Sequence, residues 1–340
     1  MNGSGRPGPG RREAAASGGD AGAPGDAPEP DPSETAAVVV HYGGWEPTRR
    51  CVASLRSTAP EASILVVDND EEGRAPSDLG APVVQSPGNV GYGAGCNLGA
   101  SRSTGDLLLF LNNDVEVLPG AVARLRDAVL ADPRCAAAGP LFLDGAGRNR
   151  RSIRLAPTPW RVLCENLMLP RLFPFLPFFR GHHTAFVAAG NRRRRAATLL
   201  GALFLIRRTA FEEAGGFDES YFFYAEESDL FARLGQKGWR LAYEPAARAV
   251  HHEGLASRSV PQSTLDRWLH EGLLRYARRF HGASGERRTL AALRAGARLR
   301  WALSFVPGPR GRLERRNRYA EILRFHREDR SAGASERHRS

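Results

Sequence analysis

The apolar positions of this chain fall into short blocks of two kinds. Ala36 to Tyr42 (AAVVVHY), Ser63 to Asn69 (SILVVDN), Pro82 to Ser86 and Asp106 to Asp114 (DLLLFLNND) lack a helical period. Runs of this length, apolar at nearly every position, suit strands buried on both faces, as in a parallel sheet covered by helices. Between them the spacing turns helical. Glu46 to Thr58 sets Cys51, Val52 and Leu55 on one face, and Gly93 to Ser103 is helical in spacing. Pro119 to Ala131 opens with a proline, whose fixed φ favours a helix start. Strand and helix in alternation predict an α/β fold with a right-handed, mostly parallel central sheet.

The second half is less regular. Cys135 to Leu143 reads as a strand. Trp160 to Arg180 (WRVLCENLMLPRLFPFLPFFR) has prolines that forbid one continuous helix. Its Leu and Phe either pack as a loop on the core or form an apolar patch for lipid or a partner. Asn191 to Arg195 holds four arginines, a solvated face or a phosphate contact. Thr198 to Arg207 reads as a strand in which Gly201 marks a close approach to the backbone. Glu226, Glu227 and Asp229 open a helix with Leu230, Phe231 and Leu234 inward. The helix dipole explains acids at that end but not the four aromatics, Tyr221 to Tyr224, that lead into them. Trp239 to His252 is extended and ends in two histidines, either structural or a metal ligand. Two further helices are expected, Asp266 to Phe280 and Arg288 to Phe305. The stripe Trp268, Leu269, Leu273, Tyr276 and Phe280, beside Arg275, Arg278 and Arg279, suits a membrane interface or the edge of the sheet.

Charge divides the chain. Of a net +11 over 340 residues, residues 1–34 hold three Arg against six acids, and residues 261–340 nineteen Arg against eight acids. The excess thus belongs to the C-terminal segment, which fits an anionic membrane surface better than a nucleic acid. The expected organisation is a disordered tail over 1–34, a catalytic domain over 35–260, a basic helical extension over 261–330 and a disordered tail over 331–340. No apolar run is long enough for a membrane span or a secretory signal, which predicts a cytoplasmic protein peripheral to the inner membrane face. Cys51, Cys96, Cys135 and Cys164 are widely spaced, without metal or disulfide patterning, and read as structural thiols.

Two strand ends carry candidate chemistry. Asp68 and Asn69 close one run, and Asn112, Asn113 and Asp114 close another, where open α/β sheets bind ligands. Asp114 suits a hard divalent cation, although an Asn/Asp turn is equally consistent. The glycines from Gly91 to Gly99 imitate a dinucleotide fingerprint but follow the third strand rather than the first. The single lysine, Lys237, is followed by Gly238, which excludes a phosphate-binding Gly-Lys-Ser/Thr loop.

In order, VVVHY, VVDND, GNVGYGAGCNLG, LNND, GALFLIRR and GGFDESYFFYAEESDLFAR resemble the inverting family 2 glycosyltransferases, particularly the rhamnosyltransferase-like branch. The resemblance covers about residues 37–260. It implies a GT-A-type nucleotide-diphospho-sugar transferase fold with C-terminal amphipathic helices. It places Tyr42, Asp68, Asn89, Gly91, Asn97, Asn112 and Asn113 around a nucleotide sugar. Asp114 and His251, or its neighbour His252, would hold Mn²⁺ or Mg²⁺. Glu227 would be the general base, with Glu226 and Asp229 supporting it or the acceptor. The implied reaction moves a sugar, rhamnose from dTDP-rhamnose being one option, to a glycan or polyprenyl-linked acceptor in cell-envelope polysaccharide synthesis. The alternative is a silent nucleotide-sugar-binding or membrane-partner module of the same fold. Three positions depart from the family. His41-Tyr42-Gly43 stands for Thr-Tyr-Asn, Glu227 for the usual Asp, and Asn112 for an acid present in some relatives.

Overall fold

A computed structural model describes residues 34–70, 75–150, 152–182, 192–252, 254, 260–305 and 312–336. The expected N-terminal tail lies almost wholly outside them, as do the last residues of the C-terminal one.

The elements follow the predicted order. They are β1 (Thr35–His41), α1 (Trp45–Thr58), β2 (Ser63–Asp68), β3 (Val83–Gln85), α2 (Tyr92–Ser101), β4 (Leu107–Asn112), β5 (Val115–Val117), α3 (Ala121–Leu130) and β6 (Cys135–Leu143). Then come β7 (Ile153–Arg154), α4 (Pro159–Asn166), α5 (Leu169–Leu172), β8 (Arg194–Ala196), β9 (Thr198–Leu199), β10 (Leu203–Arg207) and α6 (Arg208–Glu213). The chain closes with α7 (Glu226–Gln236), β11 (Arg240–His251), α8 (Gln262–Leu303) and α9 (Arg312–Glu336).

Among the described residues one nine-stranded sheet runs β3-β2-β1-β4-β10-β6-β11-β5, with β8 also on β11. β1 to β4 pair in parallel, β6 and β11 pair in parallel, and β10 is antiparallel to both its neighbours. β4 shows why the unbroken apolar run is needed. Leu107, Leu109 and Leu111 enter the core under α1 and α3, while Leu108 and Phe110 enter the opposite core under α2, α6 and α7. A strand with period-two alternation and helices on both faces has no polar side to spare.

Several expectations are corrected in detail. Pro119 lies before α3, not in its first turn; Gly120, at φ 72°, is the residue that turns the chain into the helix. Gly201 interrupts the strand expected over Thr198 to Arg207, splitting it into β9 and β10. The two C-terminal helices meet at one break, Gly282 (φ 66°), because a glycine alone absorbs the turn between them. α9 extends to Glu336, into the stretch expected to be disordered. The stripe of α8 is also spent differently. Leu273 and Leu293 pack on Val162 of α4, Tyr276 is buried, and Trp268 lies 4.6 Å from Phe222. Ion pairs fasten α8 as well, from Arg279 to Asp218 (2.7 Å) and from Asp266 to Arg318 of α9 (2.5 Å). The apolar stripe on the first arm of α8 is therefore taken up by α4 and the aromatic turn. Among the described residues no helix is long and apolar enough to cross a membrane. All four cysteines are free and buried.

Helix α2 lies against the sheet through a glycine. A Cβ on Gly99 would fall 2.2 Å from Val38 Cγ1 on β1 and 3.1 Å from Val67 on β2. Gly99→Ala should therefore destabilise the fold by roughly 1–3 kcal/mol through overpacking, read as a lower midpoint in denaturant unfolding.

Candidate active site

Three parallel strands deliver their C-terminal ends to one rim. His41 of β1 stands opposite Asp68 of β2, and Val40 opposite Asn112 of β4. Asp68 and Asp114 thus share the rim with β1 between them. Beyond the rim lies a pocket of about 580 Å³ lined by Tyr42, Asn69, Asn89, Gly91, Asn112 and Asn113, with Phe222, Phe223 and Trp268 closing the other wall. Asn113 is aimed by two donations from its amide, to the Tyr42 carbonyl (3.1 Å) and to Thr48 Oγ1 (3.2 Å). Asn69 receives the Val90 N–H (3.1 Å) and the Ser86 hydroxyl (3.0 Å) while donating to Asn89 and the Gly91 carbonyl. That network holds the loop in place before α2. Gly91 adopts φ 87°, and a Cβ there would lie 2.2 Å from the Phe222 carbonyl, so only glycine fits.

Register brings Asp114 to His251. β5 begins one residue after Asp114 and pairs antiparallel with β11, Val115 opposite His251. The backbone N–H of His252 donates to the Asp114 carbonyl (3.1 Å), and His251 Nε2 comes within 3.3 Å of Asp114 Oδ1. His252 turns the other way and pairs with Glu116 at 2.8 Å. Among the described residues neither Asp114 Oδ1 nor His251 Nδ1 has a hydrogen-bond partner, although both are buried. Asp114 Oδ1, buried without a hydrogen-bond partner, and the His251 Nε2 beside it form a donor pair that would fit Mn²⁺ or Mg²⁺. Among the described residues no group of three or more His, Cys, Asp or Glu could hold a metal.

The acids of α7 arrive by a strained turn. Tyr224 and Ala225 are both left-handed, at φ 72° and 70°, an arrangement non-glycine residues adopt at a cost. Packing imposes it. The Tyr92 N–H donates to the Phe222 carbonyl (3.2 Å), and Gly272 of α8 sits where a Cβ would be 2.4 Å from the Tyr224 carbonyl. The turn delivers Glu226 and Glu227, both buried. Glu227 rests beside Gly201, where a Cβ would meet the Glu227 Cβ at 3.4 Å, and pairs with Arg154 Nη1 at 3.2 Å. The next residue, Ala202, accepts the Asn112 N–H (2.9 Å), and Tyr92 donates its hydroxyl to the Gly201 carbonyl (2.8 Å). Gly201 is thus the close approach foreseen in the sequence, and it joins Glu227 to the strand end carrying Asp114. Burial, reinforced by the Glu227 carboxylate, pushes Glu226 well above the ordinary carboxylate range.

Three expected site residues are engaged in other contacts. Asn97 spends its side chain tying α2 to Phe217, donating to the Phe217 carbonyl (3.0 Å) and accepting its N–H (2.9 Å). Asp229 is fully buried and held by Arg233 (2.6 Å), Arg279 (3.1 Å) and the Tyr221 hydroxyl (3.3 Å), a lock beneath the aromatic turn. Asp68 is buried beside His41 and accepts the Asp70 N–H (3.1 Å) rather than lining the pocket; burial raises it. His41, stacked on Trp45 and bonded to Thr48 at 2.6 Å, is lowered by burial to about 4 and stays neutral. The departure at Gly43 also has a reason. Its φ is 82° and its N–H donates to Asp70 (2.9 Å), a conformation glycine adopts without strain. Sequence reasoning missed Arg154 and Trp268, whose segments carry no local motif. It also left Asn69 outside the site although Asn69 ends the VVDN run.

A family model described as Glycosyl transferase family 2 matches residues 36–214, and a second, Glycosyl transferase family group 2, matches residues 175–306. The chain belongs to glycosyl transferase family 2. This transferase is 31% identical over 245 residues to the N-acetylglucosaminyl-diphospho-decaprenol L-rhamnosyltransferase of Mycobacterium tuberculosis, covering 67% of this chain and 79% of that protein. Over 75 residues it is 39% identical to the rhamnosyltransferase WbbL of Escherichia coli K12, covering 22% of this chain and 28% of that one. Over 184 residues it is 29% identical to the O-antigen biosynthesis protein RfbC of Myxococcus xanthus, covering 52% and 13% respectively. Its fold is similar to that of GalNAc-T7 solved with UDP, GalNAc and Mn²⁺, at TM-score 0.50 and 18% identity. The likeness covers 74% of this chain and 51% of that one. The transferase is thus a rhamnosyltransferase-like glycosyltransferase of the GT-A fold.

Glu226 gives this site a pH signature. A buried carboxyl with a raised folded pKa contributes fully below the unfolded value and loses that contribution as pH rises toward the folded one. Glu226→Gln removes the penalty. The variant should be more stable than wild type in denaturant unfolding at pH 7, and the gap should close as the pH approaches about 4.5.

Proposed function

We propose that this transferase moves a deoxyhexose, L-rhamnose by likeness to the mycobacterial relative, from a donor such as dTDP-rhamnose. The acceptor would be N-acetylglucosamine on a polyprenyl diphosphate, or a related glycan, in cell-envelope polysaccharide synthesis at the cytoplasmic face of the membrane. One observation carries the reading. Asn112 and Asn113 line the pocket, Asp114 next to them meets His251 through the β5–β11 register, and Glu227 lies beside Gly201, which precedes the Ala202 contact to Asn112, although these residues are far apart in sequence.

The residues divide the work. Residues 35–260 form the catalytic body, and the extension from 261 covers it. Tyr42, Asn89, Gly91, Asn112 and Asn113 bind the donor, the glycine admitting it close to the backbone. Asp114 and His251 hold the divalent cation. That ion, as a Lewis acid, supplies neutralisation of the leaving diphosphate. Glu227 takes the proton of the acceptor hydroxyl, and the freed oxygen forms its bond to the anomeric carbon. The bond from that carbon to the diphosphate oxygen breaks, and the electron pair leaves with the nucleoside diphosphate. One base and one displacement invert the anomeric centre. Arg154, 3.2 Å from the Glu227 carboxylate, sets its direction.

Glu227→Gln should retain donor binding and lose about 10²–10⁴-fold in kcat. Asp114→Ala should lose both transfer and the Mn²⁺-dependent thermal stabilisation by nucleotide sugars that wild type shows. Wild-type turnover in Glu227→Gln would show that another group is the base. Donor binding by wild type without release of nucleoside diphosphate, across a screen of acceptors, would return the silent-module reading.

A further inference from the structure

With the stripe of α8 buried against the body, the most exposed large apolar side chains among the described residues lie in the excursion between β7 and residue 182. This excursion starts beside the base. Arg154, paired with Glu227, ends β7, and the next residue, Leu155, donates its N–H to the His182 carbonyl (3.2 Å), so the two ends of the excursion are tied there. Between them α4 is fixed to α8 through Val162, Leu273 and Leu293, and Arg300 donates to the Asn166 carbonyl (2.8 Å). The far end stands free. Phe175 is 93% exposed, Phe178 67%, Leu172 66% and Leu176 50%.

We propose that residues 172–178 are a foot that inserts into the interface of an anionic bilayer and sets the Glu227 side of the cleft against the membrane. The proposal rests on reading that side as the acceptor side. Three features favour lipid over a protein partner. A ring exposed as fully as Phe175 projects from the surface instead of lining a groove, which suits a medium that deforms around it. The backbone also suits the partly polar interface, where unpaired N–H groups are costly but headgroups and water are at hand. The N–H groups of Leu172, Phe173, Leu176 and Phe179 bond within the segment, to Met168, Leu169, Phe173 and Leu176, Pro174 and Pro177 have none to pair, and those of Phe175 and Phe178 stay at the headgroup level. Aromatic contacts stiffen the foot, Trp160 to Phe178 at 4.7 Å and Phe173 to Phe179 at 5.0 Å, and Trp160 donates its indole N–H to the Phe178 carbonyl (2.9 Å). Charge selects the surface. Arg161, Arg171 and Arg180 surround the apolar residues, against Glu165 as the one acid from 155 to 182. Aromatic rings flanked by arginines bind anionic headgroups through both terms.

The test is co-sedimentation of the purified chain with vesicles of phosphatidylcholine alone and with phosphatidylglycerol added, beside a Leu172→Ser, Phe175→Ser, Phe178→Ser triple variant. Wild type should bind the anionic vesicles. The variant should bind them at least about tenfold more weakly, since three exposed apolar side chains are lost. Because these side chains are exposed, unfolding temperature and Mn²⁺-dependent nucleotide-sugar binding should be unchanged, which separates this proposal from the transferase reading. Equal vesicle binding by wild type and variant would overturn the proposal. So would equal binding to neutral and anionic vesicles, or a wild-type dimer that the variant dissolves without any vesicle binding.

Discussion

The site depends on one close packing, the turn of Tyr221–Ala225 held between Gly91 on one side and Gly272 on the other. Two successive non-glycine residues in the left-handed region are unstable in isolation, each costing about 1–3 kcal/mol. They persist here because the Phe222 carbonyl accepts the Tyr92 N–H, the Tyr224 carbonyl faces α8, and Asp229 anchors the following helix to Arg233 and Arg279. Released from that clamp, the turn would relax and α7 would no longer aim its first two acids at the rim. The C-terminal helix therefore belongs to the architecture of the site, although it contributes neither the base nor the proposed metal ligands.

The two buried glutamates show how packing divides labour between identical side chains. Both sit at the start of α7, where the helix dipole favours negative charge. Burial raises Glu226, while Glu227 has a guanidinium at 3.2 Å. The same residue type thus meets two environments, one dominated by burial and one by a cation.

Arginine carries much of this structure. Arg279 joins α8 to Asp218 and Asp229, Arg318 joins α9 to Asp266, and Arg300 joins α8 to Asn166. Three of the nineteen arginines that suggested a basic tail are thus held within the fold. The amphipathic stripe expected to meet lipid is likewise occupied by α4 and the aromatic turn, because a helix with one apolar face buries it against the nearest surface able to receive it.

What the sequence determined by itself was the set of elements and their order. Apolar runs such as Leu107 to Leu111 are readable because a strand covered on both faces tolerates no polar position, and the family resemblance rests on such runs with their polar ends. It also pointed to Gly201 as a place of close approach. It could not separate His251 from His252, since both end the same strand and only the antiparallel register with β5 turns one toward Asp114. Nor could it show that Asn97 and Asp229, polar and correctly spaced, have their hydrogen-bonding groups taken by Phe217, Arg233 and Arg279. Arg154, Trp268 and the exposed foot were beyond it for the same reason. Their surroundings are made by contacts between segments distant in the chain, and that proximity is a property of the folded molecule alone.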